Sequence, residues 1–496
     1  MNRDLRPHQG RALAMLRESL MAGHRRPMLQ APTGFGKTLL AAAIVEGARA
    51  KGKRVIFTVP ALSLIDQTFA AFFDEGIRDV GVMQGGHPFT DPSKPVQIAS
   101  VQTLQRRQIP PADIVVVDEA HRWFAMYGSW MSDPSWQRVP FVGLSATPWT
   151  KGLGKHYDAL LIAATTEDLI DEGYLAPFRV YAPSHPDLSK VHTVAGDYHE
   201  GELAEVMNEP VLVADVVSTW LEKGQDRPTL CFAVDRAHAK SLEEKFQDAG
   251  VSTAYIDAYT TRDERESIRK RFEKKHIQVV CNVGCLTTGV DWDVRCIVLA
   301  RPTRSEMLFV QIVGRGLRTA ADKDDLLILD HSDTHLRLGF VTDIRHERLD
   351  DGSPRPAAER ETKEALPKEC PSCSFLRPPK VQVCPACGFK VTKQPGIKCE
   401  DGELIEFDRH GNPLAAASKK ADRETKQRWY SMLLGLAHER GYKSGWVANQ
   451  YRQKFQVWPR GHIEVALPPS PEVRSYVKSR MIAFAKQRGA HHAPAA

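Results

Sequence analysis

The stretch Ala31-Pro32-Thr33-Gly34-Phe35-Gly36-Lys37-Thr38 decides how this 496-residue chain reads. A short apolar run ending at Leu29 leads in, and a helix-favouring run from Leu39 to Ala50 leads out. Strand, glycine-containing loop and helix in that order make a phosphate cradle. Loop amides and the positive end of the helix face anionic oxygens, Lys37 reaches the terminal phosphates, and Thr38 holds magnesium. Thr33, Gly34 and Gly36 complete the expected nucleotide loop. The strict pattern has glycine where this chain has Ala31, so the loop alone also fits an ordinary strand-to-helix turn. The motifs that follow it at regular intervals decide between the two.

The chain is long enough for two to four domains with sizeable cores. Its hydrophobic content of 42% and charged content of 26% are those of a globular protein. No apolar run reaches 18 residues and the first residues lack a signal-peptide core, so a cytoplasmic location without a membrane partner is expected. The formal net charge is +6. From Gly411 to the end there are 15 Lys/Arg against 5 Asp/Glu, so the basic character sits in the tail. That surplus suits an anionic partner such as nucleic acid, or a solvated helical face.

Short β-rich runs alternate with helix-like stretches along the first part of the chain. Arg54 to Val59, Val96 to Ala99, Ile114 to Val117 and Phe141 to Leu144 read as buried strands, and Leu62 to Phe73 as a helix. The pattern predicts a parallel, doubly wound sheet with its ligands at the carboxyl ends of the strands. Directly after Val117 stands Asp118-Glu119-Ala120-His121. Asp118 can hold magnesium through water, and Glu119 can orient and deprotonate the attacking water. The next strand ends in Ser145-Ala146-Thr147, hydroxyls placed to couple the nucleotide state to the rest of the molecule. Near the N-terminus, Gln9 precedes the loop by about twenty residues and is a candidate adenine reader, because an amide donates and accepts at once.

A second set of strands, Thr229 to Val234, Ile277 to Cys281, Cys296 to Leu299 and Leu326 to Leu329, alternates with helices from Arg236 to Asp248, Asp263 to Lys275 and Ser305 to Leu317. It predicts a second parallel α/β domain without a phosphate loop. Gln311, Arg315 and Arg318 fall four and three residues apart and are expected on one helical face. There they form a surface salt-bridge row or reach across a cleft to the γ-phosphate, with Arg318 favoured as the arginine finger. In residues 165–210 a helix-like acidic piece, Thr166 to Glu172, precedes a loop-rich connection with Pro177, Pro183 and Pro186.

Taken together, Ala-x-x-Gly-x-Gly-Lys-Thr, Asp-Glu-Ala-His and Ser-Ala-Thr resemble the motifs of superfamily 2 DEAD/DEAH-box helicases. Cys281-Asn-Val-Gly-Cys-Leu-Thr-Thr-Gly-Val-Asp291 resembles the motif of that family that links nucleic acid to ATP, and Gln311-Ile-Val-Gly-Arg-Gly-Leu-Arg318 resembles its arginine-finger motif. The phrases Leu286 to Gly289, Arg301-Pro-Thr303 and Gln311 to Arg318 are most similar to RadD-like bacterial DNA repair helicases and their phage-encoded relatives. The resemblance spans roughly residues 1–390. It departs where the fourth box ends Ala-His rather than Cys-His. It implies two RecA-like lobes with ATP between them, Gly289 and Asp291 beside the nucleotide, and nucleic acid across the top. Ser100, Gln102 and Thr103 in the first lobe, and Thr287 and Thr288 in the second, become candidate phosphate contacts.

After Arg345 the chain turns rich in charge, proline and small residues and reads as a linker. It delivers Cys370-Pro-Ser-Cys373 and Cys384-Pro-Ala-Cys387-Gly388, two C-x-x-C turns able to hold one structural zinc in tetrahedral geometry; a redox dithiol is the minor alternative. Cys231, Cys281, Cys285 and Cys296 lie in or near apolar runs and read as buried thiols, and Cys399 stands apart. In the tail, Lys426 to Arg440, Trp446 to Gln456 and Pro471 to Gln487 read as amphipathic helices. Their aromatics, Trp429, Tyr430, Trp446, Tyr451, Phe455 and Trp458, serve either as a core or as base-stacking platforms.

The fold expected is α/β: RecA-like lobes at 1–175 and 176–345, a linker at 346–367, a zinc knuckle at 368–392 and a basic helical region at 393–496. The function expected is an ATP-driven, magnesium-dependent DNA helicase or translocase of a bacterial or phage-infected cell, working on single strands or junctions beside repair or replication proteins. Two alternatives are an RNA helicase and a nucleotide-switched nucleic-acid-binding scaffold. Intact Glu119 and Arg318 speak against the scaffold, which has no use for a water activator.

Overall fold

The computed structural model describes residues 2–287, 292–353, 366–379, 381–390, 423–442, 444–455, 458–459 and 461–478. Thr288, Gly289, Asp291, Cys399, most of the expected linker and the chain end lie outside them. Two compact units are present, residues 1–393 and 394–496.

The first lobe opens with α1 (Pro7–Met21), β1 (Pro27–Gln30) and α2 (Lys37–Arg49). Next come β2 (Val55–Val59), α3 (Ile65–Asp74), β3 (Val80–Val82), β4 (Val96–Ser100), α4 (Val101–Leu104) and β5 (Ile114–Asp118). It closes with α5 (Ala125–Ser132), β6 (Phe141–Ser145), β7 (Ala159–Ile162) and α6 (Thr166–Asp171). Its seven strands lie in the order β3-β4-β2-β5-β6-β1-β7, all parallel. Helices cover the sheet, so strands such as Val55–Val59 are buried at every residue and carry unbroken apolar runs. The order puts the ends of β1, β5 and β6 side by side, with the nucleotide loop, Asp118-Glu119 and Ser145 on one edge.

The second lobe begins at β8 (Phe178–Tyr181) and a short hairpin of β9 (Thr193–Val194) and β10 (Asp197–Tyr198). It continues through α7 (Glu200–Met207), α8 (Pro210–Lys223), β11 (Thr229–Phe232), α9 (Arg236–Asp248), β12 (Thr253–Ile256), α10 (Arg262–Glu273) and β13 (Val279–Asn282). The last elements are β14 (Cys296–Leu299), α11 (Glu306–Gly316), β15 (Leu326–Asp330) and α12 (Thr334–Leu338). The order is β12-β13-β11-β14-β15-β8, again parallel. Residues 165–210 are more ordered than their prolines suggest. The expected short helix is α6, and beyond it lie the edge strand β8, the hairpin and α7, with Leu203 and Met207 of α7 packed against Val234 at the end of the sheet. Cys231, Cys281 and Cys296 are buried free thiols and Cys285 is partly buried.

The four-cysteine segment is not a free-standing module. It carries β16 (Lys368–Glu369) and β17 (Leu376–Arg377) and packs on the edge strand β8. The Ala182 amide donates to the Ser374 carbonyl at 3.0 Å, and Phe375 meets the Tyr181 ring edge-on at 5.4 Å. An open sheet edge is thereby covered.

In the second unit, α13 (Arg423–Arg440) and α14 (Ser444–Phe455) pack with residues 471–478. Trp429, Leu433, Leu436, Val447, Tyr451, Val473 and Val477 form its core. Trp429 and Tyr451 are therefore core residues rather than exposed stacking platforms, while Trp458 is exposed.

Candidate active site between the lobes

The nucleotide loop takes the shape its glycines permit. Gly34 and Gly36 have φ of +85° and +83°, a region closed to most side chains. Ala31 does not need glycine's freedom, because its amide simply prolongs the sheet by donating to the Ser145 carbonyl at 2.8 Å. Lys37 starts α2, and Thr38 is exposed in the same first turn.

Lys37 Nζ lies 3.0 Å from an Asp118 oxygen and also donates to Glu119. Burial alone would lower the lysine pKa, but Asp118 and Glu119 outweigh it and hold it above its ordinary value. Burial pushes the Asp118 carboxyl up despite the lysine. For Glu119, burial is outweighed by Lys37, His121 and Arg315, so its pKa is lowered and it stands ionised, able to accept a proton. Glu119 also has φ of +48°, a strained conformation held directly after a strand. Its amide donates to its neighbour Asp118 at 3.0 Å.

From Glu119 a polar chain crosses to the second lobe. His121 Nδ1 lies 3.4 Å from Glu119 and 2.9 Å from Ser145 Oγ. Ser145 Oγ also accepts the Thr147 amide at 3.0 Å. The Gln311 amide of α11 reaches His121 Nε2 at 3.4 Å and Thr147 Oγ1 at 3.3 Å. Burial lowers the His121 pKa to about 4, so the ring is neutral near pH 7. It donates from Nδ1 and accepts at Nε2, as its neighbours require. On α11, Gly314 abuts Thr33: a Cβ there would lie 2.6 Å from the threonine side chain.

Several expected residues take other places. Arg318 does not share the helical face of Gln311 and Arg315, because α11 ends at Gly316. Arg318 is instead paired along the backbone with Leu175, whose side chain lies against Gly34 of the nucleotide loop. Arg315 is the arginine whose charge acts on Glu119. Gln9 is fully buried. Its amide donates to the Phe35 and Gly36 carbonyls at 3.0 and 3.2 Å and its oxygen accepts the Arg6 amide, so it braces the nucleotide loop. Ser100 is also fully buried, and its hydroxyl caps α4 through the Thr103 amide at 3.2 Å. A phosphate contact from it would require α4 to unwind. Gln102 is exposed and Thr103 partly so; Thr287 donates to the Gly284 carbonyl at 2.9 Å.

Lys323 was not legible as a site residue. Its ammonium donates to the carbonyls of Val294, Gly316 and Arg318 at 2.7, 2.5 and 2.7 Å, tying the end of α11 to the sheet. A lone lysine in Ala320-Ala-Asp-Lys-Asp-Asp325 carries no sequence signal for that role.

In the cysteine segment, Cys370 and Cys387 sulfurs are 3.7 Å apart, as are those of Cys373 and Cys384, and all four lie within 4.8 Å of one another. Zinc–sulfur bonds of about 2.3 Å in a tetrahedron require sulfurs about 3.8 Å apart, so the cage has the size of a four-thiolate zinc site.

Residues 2–150 match the family described as type III restriction enzyme, res subunit, and residues 212–320 match the helicase conserved C-terminal domain. A 51.5 kDa protein of Lactococcus phage (isolate 7-9) is 27% identical over 81% of this chain and 87% of its own length. The candidate ATP-dependent helicase IRC3 of Saccharomyces cerevisiae is 28% identical over 66% of this chain, which spans about half (51%) of the yeast protein. Among solved structures, the DNA-bound ATP-dependent type ISP restriction-modification enzyme LlaBIII shares the fold, with a TM-score of 0.51 and 16% identity over 67% of this chain and 28% of that one. Among the described residues no helix is long and apolar enough to cross a membrane. With residues 2–150 and 212–320 matched and Lys37, Glu119 and Arg315 brought together between them, the chain carries the two motor domains of a superfamily 2 helicase and is an ATP-dependent nucleic-acid helicase or translocase.

Proposed function

We propose that the chain moves along DNA by hydrolysing ATP between its lobes, with single strands or junctions as the track. The observation that carries this reading is Glu119, ionised and strained at a strand end, with Lys37 on one side and Arg315 of the opposite lobe acting on it. Lys37 and the loop amides bind the phosphates. Thr38 and Asp118 supply oxygens suited to magnesium, which when bound would neutralise phosphate charge. Glu119 orients water and takes its proton. Arg315 and Arg318 stabilise charge developing on the transferred phosphoryl group, and an arginine in this role is worth about 10³–10⁵ in rate. Gly289 and Asp291 complete the nucleotide side in this reading.

The chain His121–Ser145–Thr147–Gln311 links hydrolysis to lobe movement, because Glu119 lies 3.4 Å from His121, which reaches α11 through hydrogen bonds. Gln102, Thr103, Thr287 and Thr288 are proposed strand contacts. The cysteines Cys370, Cys373, Cys384 and Cys387 hold one structural zinc, consistent with the sulfur spacing. DNA is favoured over RNA by the likeness to restriction enzymes, one of them solved bound to DNA, and by the basic tail. The phage relative favours the cytoplasm of a bacterial or phage-infected cell, with repair or replication proteins as partners. ATP turnover measured side by side with single-stranded DNA, duplex DNA and RNA tests this. Stimulation by single-stranded DNA above the other two is expected; stimulation by RNA alone would move the chain to the RNA helicases.

A further inference from the structure

The cysteine segment is built twice from one pattern. Cys370-Pro-Ser-Cys373-Ser374-Phe375 and Cys384-Pro-Ala-Cys387-Gly388-Phe389 have matching backbones. The Ser374 and Gly388 amides donate to the Cys370 and Cys384 carbonyls at 2.9 and 2.8 Å. The Cys370 and Cys384 amides donate to the Phe375 and Phe389 carbonyls at 2.9 and 2.8 Å. Ser374 and Gly388 both adopt positive φ, +58° and +72°.

The two halves differ in what covers them. Phe375 is 9% exposed against Tyr181, and Leu376 after it is buried as well. Phe389 is 42% exposed, and the residue after it is the exposed Lys390, paired across the ribbon with exposed Val383. Where the docked half places a leucine for burial, the open half places a cation beside an aromatic ring. From Cys370 to Lys390 the sequence holds Arg377, Lys380 and Lys390 and no acidic residue. Four thiolates on a divalent metal carry a formal charge of two minus, so the stretch stays positive with the metal bound. A second protein strand would call for an apolar partner of Leu376's kind. An exposed ring with a lysine beside it fits a nucleobase and its phosphate.

We propose that this second half is a contact for single-stranded nucleic acid, with a base stacked on Phe389 and the adjoining phosphate held by Lys390. It lies apart from the candidate contacts on the lobes and rests on the reading that the chain works on nucleic acid. The experiment uses the full chain and a labelled oligothymidylate, whose binding is followed by anisotropy across a salt series, with zinc per chain measured for each variant. Phe389→Ala is expected to weaken binding about 5- to 100-fold with zinc retained, and Phe389→Tyr to restore it. Lys390→Gln is expected to lower the salt slope by about 0.7, the value for one phosphate contact on a single strand. Phe389→Ala binding within twofold of wild type, or a Lys390→Gln slope parallel to it, would overturn the proposal. If Phe389→Ala loses zinc, the Lys390→Gln slope decides alone. Wild-type protein that fails to bind the strand at all would instead sink the nucleic-acid reading beneath it.

Discussion

Replacing Gly314 with alanine should separate catalysis from stability. Gly314 lies within α11 with ordinary helical geometry, so the helix itself tolerates a side chain there and gains up to about 1 kcal/mol from it. The new methyl, however, would lie 2.6 Å from both Cβ and Oγ1 of Thr33 in the nucleotide loop. Carbon contacts settle near about 3.5 Å, so the overlap is about 1 Å. No rotation of a β-branched side chain relieves a clash that includes its own Cβ, so α11 must back away and carry Arg315 with it. A displacement of about 1 Å in a catalytic group costs about 10²-fold in rate. ATP turnover at saturating single-stranded DNA is thus expected to fall about 100-fold, while an overpacking cost of about 1–3 kcal/mol set against the helix gain lowers the melting temperature by only a few degrees. Gly47→Ala in α2, where a Cβ would meet nothing within 4 Å, is the control and should turn over normally. Turnover of Gly314→Ala within about threefold of wild type would refute the argument that α11 and the loop must touch for hydrolysis.

Lys323→Met removes one ammonium from three carbonyls and should lower kcat with little change in KM for ATP, because it loosens the end of α11 rather than the nucleotide loop; an unchanged kcat would deny it that role. Wild-type protein purified without chelator should hold one zinc per chain and Cys384→Ser none, with basal ATPase retained because the core around Met28, Val115 and Phe141 in the first lobe and that around Val217, Cys231 and Leu242 in the second include no residue of the cysteine segment; a wild type without zinc contradicts the site. Burial lowers the pKa values of His121, His238 and His331 to about 4. The unfolded chain therefore binds protons below about pH 6.5 that the fold does not, and stability falls with pH by up to about 1.4 kcal/mol per group per unit. Urea midpoints should drop from pH 7 to 5, less steeply in His238→Asn; parallel slopes would contradict the burial argument.

Much of the fold was legible because a parallel sheet buried on both faces leaves continuous apolar runs, and because the nucleotide loop uses glycine only where φ is positive. The carboxylate pair at Asp118-Glu119 was legible for the same reason, standing where a strand must end. What stayed hidden depends on contacts distant in sequence. Arg318 looked helical by spacing, yet its backbone pairs with Leu175 once α11 has ended. Gln9 reads as a base-recognising amide until the carbonyls of Phe35 and Gly36 are seen to take its donors. Ser100 resembles an exposed hydroxyl but caps a single helical turn. The hairpin at Thr193–Tyr198 escaped because its strands are two residues each, too short for an alternating pattern. It is nonetheless anchored, with Asp197 accepting from the Thr303 hydroxyl and the Arg304 amide at 2.7 Å each, just before α11 begins.

The proposed function stands on Glu119 as the activator of water at an ATP site completed by both lobes. Glu119→Gln keeps the shape and loses the base, so nucleic-acid-stimulated ATP turnover by this variant is the decisive measurement. The variant is expected to bind ATP and magnesium as wild type does but to hydrolyse at least 100-fold more slowly, on the order of a lost general base. Turnover within a few-fold of wild type would contradict that role for Glu119.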